Sequence, residues 1–369
     1  MIKSFFEKFK IPYVLENDRE YDAKVNDILS DYIENVKNDG TYSYLSKEVD
    51  TICKAIIGCI NNYYNGSPKK AYDKIYECFK QNGKLVKYSI IKKISEIENG
   101  MEYKSLFRAR CHNGLEIENR QDMFHMPYSK RSILPTQRYS IPGCPSLYLG
   151  GSIYDCWLEM GKPSYHEFYV SRYEVTNDDL MILDLAHYPN IDNDLILQQS
   201  EQTIILWPFI FSCSIKIKEL GRTFKSEYII PQILLQVVKD RSNIDGIRFY
   251  STFMPQNIHG NITPLYINYV FPSMYDNNGD EFSKAFEDCF LLTEPFNVGE
   301  YEQFSVSNLN TLKRSASNGT MEKLDNRYIH FNRRTGAILA TPSIISEYAT
   351  TLFFNVEELL YYFPAKKVR

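Results

Sequence analysis

The sequence predicts an α+β fold in which an all-α segment precedes a region of mixed strands and helices. Within the first 100 residues, apolar side chains recur every three or four positions, which is the spacing of amphipathic helices. From about residue 101 the pattern changes to short runs rich in aromatic and β-branched residues, separated by glycine and proline. A chain of 369 residues, 44% of them hydrophobic, is long enough for more than one domain. We therefore expect a helical N-terminal domain at residues 1–100, a mixed domain at 101–300, and a polar loop with a C-terminal extension packed on that domain at 301–369.

Three amphipathic helices are predicted in the N-terminal domain. The first has its apolar face at Val25–Val36 and is followed by Gly40. The second has its apolar face at Val49–Tyr64, with Ser46 as a candidate N-cap. The third is expected to begin at Ser67 and Pro68 and to end at Gly83. An antiparallel helical module of this kind carries no catalytic constellation of its own. We therefore expect it to have a structural, regulatory or partner-binding role.

The mixed domain contains five segments with the composition of strands and two with the pattern of helices. The strands are expected at residues 146–149, 167–175, 180–185, 246–251 and 264–271, and the helices at 152–160 and 227–240. Gly150 and Gly151 precede Ser152, a residue type that caps helices, so the chain is expected to pass sharply from strand to helix there. Beyond residue 272, polar segments predict loops, and the apolar stretch 351–363 predicts a return to ordered structure.

Charge and cysteine spacing argue against several classes of function. With 42 basic and 46 acidic residues, a net charge of -4 gives no electrostatic reason to expect nucleic acid or an anionic membrane as partner. The N-terminal segment is charged, and the longest apolar run, 203–211, is far shorter than the roughly 20 residues of a membrane-spanning helix, so we expect a cytoplasmic protein. The 8 cysteines form no CxxC pair, and no histidines stand at zinc-ligand spacing, so no metal is expected.

Three separated blocks contain the residues of chemical interest. They are LFRAR at 106–110, RYSIPGCPSLYLGGSIYDCWLEM at 138–160 and DGIRFYS at 245–251. Taken singly, Arg108 and Glu159 are residue types more typical of ion pairs and solvated helix faces than of ligand sites. In this order, however, the blocks resemble the three signature blocks of the RES domain family, named for an Arg, a Glu and a Ser. Those positions fall here on Arg108, Glu159 and Ser251, and the similarity covers roughly residues 104–272.

The resemblance implies an ADP-ribosyltransferase-like fold that takes NAD as its substrate and breaks the bond between nicotinamide and ribose. That bond breaks through an oxocarbenium-like transition state, so an anionic Glu159 would stabilise the developing positive charge or hold a ribose hydroxyl. Arg108 and Arg138 would offer forked donors to the pyrophosphate. Tyr148 would supply a flat face for the cationic nicotinamide ring, and Ser251 would hydrogen-bond nicotinamide or ribose.

The middle block is the most specific of the three, and it departs from the family in one place. Where many family members have GRWN, this chain has QRYS at 137–140, so the aromatic position is Tyr139 and the preceding glycine is lost. The chain is therefore expected to reverse its direction at Pro142 and Gly143 instead. The match places Tyr139 with Arg138 among the NAD-binding residues.

The leading hypothesis from the sequence is therefore an NAD-consuming enzyme that acts by phosphorolysis or hydrolysis, with NAD as substrate and no metal. The usual setting of the RES family implies an intracellular toxin of a toxin-antitoxin pair or an antiphage defence effector. An antitoxin or regulatory protein is then an expected partner, and a second copy of the chain is a further candidate. Two alternatives stay open, namely a mono-ADP-ribosyltransferase that modifies a protein target and a non-catalytic binding module that has kept the scaffold.

Overall fold

The computed structural model describes most of the chain. The described residues are 2–15, 20–80, 88, 90–97, 105–112, 116–187, 200–219, 221–241, 243–256, 264–275, 279, 281–303, 331–332, 337–338, 348 and 351–369. Within these residues the helices, numbered in chain order, are α1 Ile2–Lys8, α2 Tyr21–Lys37, α3 Ser46–Tyr64, α4 Pro68–Phe79, α5 Ile94–Ile97, α6 Ile153–Glu159, α7 Glu201–Cys213, α8 Ile229–Asp240, α9 Lys284–Glu287 and α10 Leu352–Tyr361.

The strands complete a mixed architecture, which confirms the α+β class. They are β1 Tyr13–Val14, β2 Ile91–Lys93, β3 Ser105–Cys111, β4 Ser146–Gly150, β5 Phe168–Val175, β6 Met181–Asp184, β7 Ile215–Lys216, β8 Gly246–Tyr250, β9 Ile267–Pro272, β10 Phe290–Leu292, β11 Phe296–Asn297, β12 Phe331–Asn332 and β13 Ala337–Ile338. All five strands expected from composition are present as β4, β5, β6, β8 and β9.

The chain divides into two compact units, each assembled from three stretches of sequence. Unit 1 contains Met1–Lys92, Pro135–Gly143 and Met181–Ile262, and unit 2 contains Lys93–Leu134, Cys144–Leu180 and Thr263–Arg369. The sequence-based division placed residues 101–300 in one domain. In the structure, the stretches 135–143 and 181–262 belong instead with the N-terminal helices, so one unit combines residues that are distant along the chain.

Unit 1 is organised around helix α7, whose residues from Thr203 onward are buried. Trp207 lies at its centre, with the ring of Tyr32 at a centroid distance of 4.4 Å and that of Phe5 at 4.9 Å. The hydroxyl of Tyr32 donates to the carbonyl of Ile204 at 2.7 Å, so this buried polar group is satisfied. The apolar run 203–211 lies within this helix and forms part of the core. The same unit holds the parallel strand pair β6 and β8.

Unit 2 is built on an antiparallel sheet with the strand order β10-β5-β3-β4-β9, and β11 adds to β5. Phe107 on β3 stands opposite Arg172 on β5 and Gly150 on β4, and Gly150 stands opposite Asn268 on β9. Side chains alternate along a strand, so these residues share one face of the sheet, which we call the helix face because α6 and α10 pack against its strands. Arg108, one position along β3, starts on the opposite face.

That opposite face, which we call the arginine face, is defined by Arg108, Arg110, Ser171 and Tyr173. Arg108 stands opposite Ser171 in the pairing of β3 with β5, and Arg110 is two residues further along β3. The 3₁₀ turn Arg120–Met123 packs near strands β3 and β5. The hydroxyl of Tyr173 donates to the carbonyl of Met123 at 2.6 Å, which fixes this turn against the arginine face.

Several predicted helix ends differ from those in the structure. Helix α3 begins at Ser46 itself, after a 3₁₀ turn at Ser43–Leu45, so the predicted N-cap at Ser46 is wrong, and Leu45 occupies that position. Ser67 does precede Pro68 at the start of α4, although its side chain makes no cap hydrogen bond. This helix ends at Phe79, and Gly83 lies outside the described residues. Among the described helices, none is long and apolar enough to cross a membrane.

Candidate active site

The junction between strand β4 and helix α6 forms as the sequence predicts. Ser152 is the N-cap of α6, and its hydroxyl accepts from the backbone N–H of Asp155 at 3.0 Å. The hydroxyl of Ser152 also donates to the carbonyl of Leu265 at 2.8 Å, which ties the junction to the 3₁₀ turn Pro264–Tyr266 that precedes β9. A Cβ atom at Gly150 would lie 2.7 Å from the Cys156 sulphur, so only glycine allows α6 to approach the strand this closely.

Glu159, the predicted catalytic carboxylate, is the last residue of α6 and is exposed. Its Oε1 accepts a hydrogen bond from the side-chain amide of Asn268 at 3.3 Å. Asn268 is mostly buried on the helix face, opposite Gly150, so strand β9 helps to orient a carboxylate carried by the helix. Tyr148 lies two residues before Gly150 on β4, so its side chain starts on the same face and is half-buried.

Arg108, the predicted phosphate ligand, occupies the place where strands β3 and β4 stop pairing. The two strands pair at Phe107 and Gly150, and beyond that point the Arg108 guanidinium donates to the Tyr148 carbonyl at 3.0 Å. Its Nε is buried and has no hydrogen-bond partner among the described residues. Burial lowers the pKa of the guanidinium, because no solvent stabilises its charge there. A half-buried cation with a buried, unpaired N–H is able to bind an anion.

Arg110 is a second arginine in the same condition, and the sequence analysis did not assign it to the site. One of its terminal nitrogens donates to the carbonyl of Phe124 at 2.8 Å, but its buried Nε has no partner within the described chain. Burial, and next the charge of Arg108, lower its pKa to about 10, while Asp122 acts in the opposite sense. Its alternation with Arg108 along β3 was the available signal, since residues two apart on a strand share a face.

Other polar groups on the arginine face do not neutralise this pair. Neither arginine forms an ion pair with a carboxylate in the part of the chain that the structure describes. Ser171, opposite Arg108, is fully buried, and its hydroxyl has no partner among the described residues. His125 is also buried, and its Nε2 accepts from the backbone N–H of Ser283 at 2.8 Å. An imidazole that accepts a hydrogen bond is neutral, so it adds a polar group here without adding charge.

Burial also governs the protonation of His125. Its pKa is lowered to about 4, chiefly because burial disfavours the charged imidazolium, and the positive charges of Arg108 and Arg110 act in the same direction. The hydrogen bond between Nδ1 and the Met126 carbonyl, at 2.9 Å, opposes this shift only in part. Within the described part of the arginine face, the positive charge at neutral pH is therefore that of the two guanidinium groups.

The remaining predicted site residues lie in unit 1. The Arg138 guanidinium donates to the Cys213 carbonyl at 3.1 Å, at the carboxyl end of α7, and lies 5.3 Å from the ring centroid of Tyr228. A cation at this end of a helix is favoured by the helix dipole. Tyr139 is buried, with its ring centroid 4.3 Å from that of Phe249. The chain reverses after it, where Gly143 has a φ of 71°, a conformation that glycine adopts without strain.

Ser251, the third residue of the predicted Arg-Glu-Ser set, directly follows strand β8 in unit 1. It is fully buried, and its hydroxyl accepts from the backbone N–H of Phe253 at 3.1 Å. Three predicted site residues, Arg108, Tyr148 and Glu159, thus belong to unit 2, and the other three belong to unit 1. The described residues contain no group of three or more His, Cys, Asp or Glu side chains that could hold a metal ion.

Comparison with known proteins gives one informative relative. The chain is 29% identical over 320 residues to the protein named "Putative toxin YopC" of Bacillus subtilis (strain 168). The aligned region spans 81% of this chain and 70% of the relative. No protein-family model matches the chain. No solved structure matches it either.

Proposed function

We propose that this protein is an NAD-consuming toxin that cleaves the bond between nicotinamide and ribose. The observation that carries the proposal is the pair Arg108 and Arg110, two half-buried arginines. Each has a buried Nε without a hydrogen-bond partner, and neither has a carboxylate partner, among the described residues. Leaving a buried charge uncompensated is costly, so such an arrangement is expected where a ligand supplies the opposite charge. The pyrophosphate of NAD carries two adjacent negative charges, and two arginines on one strand match that number.

Arginine suits this ligand better than lysine does. A guanidinium presents several N–H donors in a plane and binds phosphate oxygens in a forked geometry, which neutralises and orients the group at once. Arg108 already uses one terminal nitrogen on the Tyr148 carbonyl, which holds its position, while the buried Nε is unused. The site is therefore partly organised before the ligand binds.

Glu159 is assigned to the reacting carbon, although its helix packs against the face of the sheet opposite the two arginine side chains. NAD would therefore have to pass the place where β3 and β4 stop pairing, beside the Arg108 guanidinium, for one molecule to reach both. When the bond from the ribose C1′ to the nicotinamide nitrogen breaks, its electron pair goes to the nicotinamide, which leaves as a neutral molecule without accepting a proton. Positive charge is left on the ribose, and a carboxylate oriented by Asn268 would stabilise it. A water or phosphate oxygen then bonds to C1′, and with water the released proton passes to solvent. The NAD-binding roles of Tyr148, Arg138, Tyr139 and Ser251 stay predictions from the resemblance.

The relative supports the biological half of the proposal. The Bacillus subtilis protein that is similar over most of this chain carries the name "Putative toxin YopC". Depletion of NAD removes a coenzyme that many cellular reactions share, so an NAD-consuming activity accounts for toxicity without requiring a nucleic-acid or membrane target. An antitoxin that blocks the enzyme in the producing cell is the expected partner.

The direct test incubates the purified full-length chain with NAD, with and without inorganic phosphate, and identifies the products by mass spectrometry. We expect free nicotinamide from the wild-type protein, with ADP-ribose if water is the acceptor and ADP-ribose 1″-phosphate if phosphate is. The Glu159→Ala variant should lose at least about 100-fold in kcat, because it removes the charge that stabilises the transition state. Glu116→Ala, which removes an exposed carboxylate elsewhere in unit 2, is the matched control and should match the wild type.

Three results of this test would count against the assignment. If no nicotinamide is released under either condition, and no cellular protein becomes labelled from NAD, the enzymatic function is wrong. If labelled protein is the main product, the acceptor is a side chain, and the activity is mono-ADP-ribosylation. If Glu159→Ala turns over NAD at the wild-type rate, Glu159 is not the catalytic carboxylate.

A further inference from the structure

Helix α10 places a carboxylate inside unit 2, far along the sequence from the candidate site. Glu357 is fully buried. Its Oε1 accepts from the backbone N–H of Ile153 at 2.6 Å and from the hydroxyl of Tyr348 at 2.7 Å. Ile153 is the first residue of α6, the helix that ends at Glu159. A side chain 204 residues away in sequence therefore holds the start of the helix that carries the proposed catalytic carboxylate.

The position of this contact matters because the first N–H groups of a helix have no acceptor within the helix. At α6, Ser152 accepts from the N–H of Asp155, and Glu357 accepts from the N–H of Ile153. The negative charge of Glu357 also lies at the positive end of the helix dipole. Helix α6 has 7 residues, so its own hydrogen bonds are few, and external contacts decide its position.

A set of aromatic contacts holds the side of the same helix. The ring of Phe353 on α10 lies 5.2 Å from that of Trp157 and 5.5 Å from that of Tyr154, measured between centroids. Trp157 also donates from its indole nitrogen to the Pro163 carbonyl at 2.9 Å. These contacts restrain sideways movement of α6. The hydrogen bond from the Ile153 N–H to Glu357 instead restrains movement of the first turn along the helix axis.

We propose that Glu357 is a positioning residue for Glu159, and that its length and acceptor oxygen set where α6 begins and therefore where the catalytic carboxylate lies. This inference rests on the proposed function for its effect on catalysis. Its structural half, that Glu357 holds the Ile153 amide, is independent of the substrate. A displacement of the reacting group by about 1 Å costs up to about 100-fold in rate, so a residue that only positions can have a large kinetic effect.

Two substitutions of Glu357 separate the effect of its side-chain length from the effect of its charge. Glu357→Gln keeps the length and an acceptor oxygen but removes the charge, whereas Glu357→Asp keeps the charge but is shorter by one methylene group. If position is what matters, we expect Gln to stay within about threefold of the wild-type kcat and Asp to lose about 10-fold or more, with KM for NAD little changed in both. Glu358→Asp shortens the neighbouring, less buried carboxylate of the same helix and serves as the matched control.

Amide hydrogen exchange supplies a readout that does not depend on activity. The N–H of Ile153 should exchange faster in Glu357→Asp than in the wild type, while Glu357→Gln should retain protection, because a satisfied buried amide is shielded from exchange. Exchange in the sheet of unit 2 should be unchanged in both variants, which shows that the fold is intact.

Several outcomes would overturn the inference. It fails if Glu357→Asp keeps the wild-type kcat and the wild-type protection of the Ile153 amide. It also fails if Glu357→Gln loses as much kcat and as much protection as Glu357→Asp does, because the charge of Glu357 rather than its length would then be responsible. A wild-type protein that releases no nicotinamide would refute the proposed function alone, and the exchange data would still decide whether Glu357 holds α6.

Discussion

Two arginines on neighbouring strands of unit 2 differ in how far protein groups accept hydrogen bonds from their guanidinium groups. Arg172 on β5 has a side chain only 3% exposed, and its donors are used by protein groups. Its Nε donates to the Leu360 carbonyl at 3.0 Å, one terminal nitrogen donates to the Phe363 carbonyl at 3.2 Å, and the other pairs with Glu174. The guanidinium also lies 5.0 Å from the ring centroid of Tyr361. Arg172 therefore connects the sheet to the C-terminal segment.

Arg108, one strand away, has the same chemistry and a different environment. It donates to the Tyr148 carbonyl, but its Nε is unused within the described residues, and the residue opposite it is a serine rather than a carboxylate. A guanidinium has five N–H donors, so the fraction that protein groups satisfy indicates its role. Arg172 has donors that are used to hold the fold, and Arg108 has donors that are available to a ligand. The two guanidinium groups therefore differ in how far protein groups use their donors, and this difference supports the proposed binding role of Arg108.

The largest expected effect is on the structural arginine. Arg172→Ala would remove one hydrogen-bond donor from each of the carbonyls of Leu360 and Phe363, and would remove the cationic partner of Glu174. We expect the free energy of unfolding to fall by about 3 kcal/mol or more, because two hydrogen bonds from a buried charged donor are lost and each contributes about 1.5 to 3 kcal/mol. Urea denaturation monitored by circular dichroism measures this change. An unchanged midpoint would show that the contacts of Arg172 do not hold the C-terminal segment.

The binding arginine should respond in the opposite way. Arg108→Met keeps much of the side-chain volume and removes a desolvated charge, so the free energy of unfolding should stay the same or rise. Binding of NAD should weaken by about 10- to 100-fold, because the hydrogen bonds of a charged donor to phosphate are lost. Isothermal titration calorimetry with NAD on the Glu159→Ala background measures binding without turnover.

Arg110→Met is the informative companion to this variant. A similar loss of affinity would support a shared pyrophosphate site, whereas unchanged affinity would limit the site to Arg108. If Arg108→Met instead unfolds the protein and Arg172→Ala does not, the comparison between the two arginines is wrong.

The elements that follow from local patterns were predictable from the sequence. Strands β4, β5, β6, β8 and β9 and helices α6 and α8 were expected close to where they form, because period, capping and breaker residues act over a few positions. The tight approach at Gly150 and the cap at Ser152 belong to the same local class.

The contacts that position the candidate site residues, in contrast, join residues that are far apart in the sequence. Asn268 meets Glu159 across 109 residues of sequence, and Glu357 meets Ile153 across 204. No spacing rule links residues so far apart, since only the completed sheet brings them together. The interleaving of the two units was unpredictable for the same reason. Arg110 was missed although the signal was local, because a basic residue on a strand is usually solvated, and only burial shows that its charge is uncompensated.

The smallest expected effect is on the pKa of His125, which the positive charges of Arg108 and Arg110 help to lower. Burial first, and then Arg108 and Arg110, hold its pKa at about 4, below its ordinary value near 6.5. The unfolded chain therefore binds a proton between these two values and the folded chain does not. The stabilising contribution is complete above pH 6.5 and is lost as pH falls toward 4, by up to about 3 kcal/mol.

Replacing Arg108 with Met removes one of the charges that keep His125 neutral. The pKa of His125 should then rise by a fraction of a pH unit, because burial remains the main cause of its depression. Titration of the His125 ring signals by NMR measures this shift, and Arg172→Lys is the control on the other face of the sheet. A pKa that stays at about 4 in Arg108→Met would show that the Arg108 charge is already neutralised in the folded protein, and the contrast between the two arginines would then no longer identify an anion site.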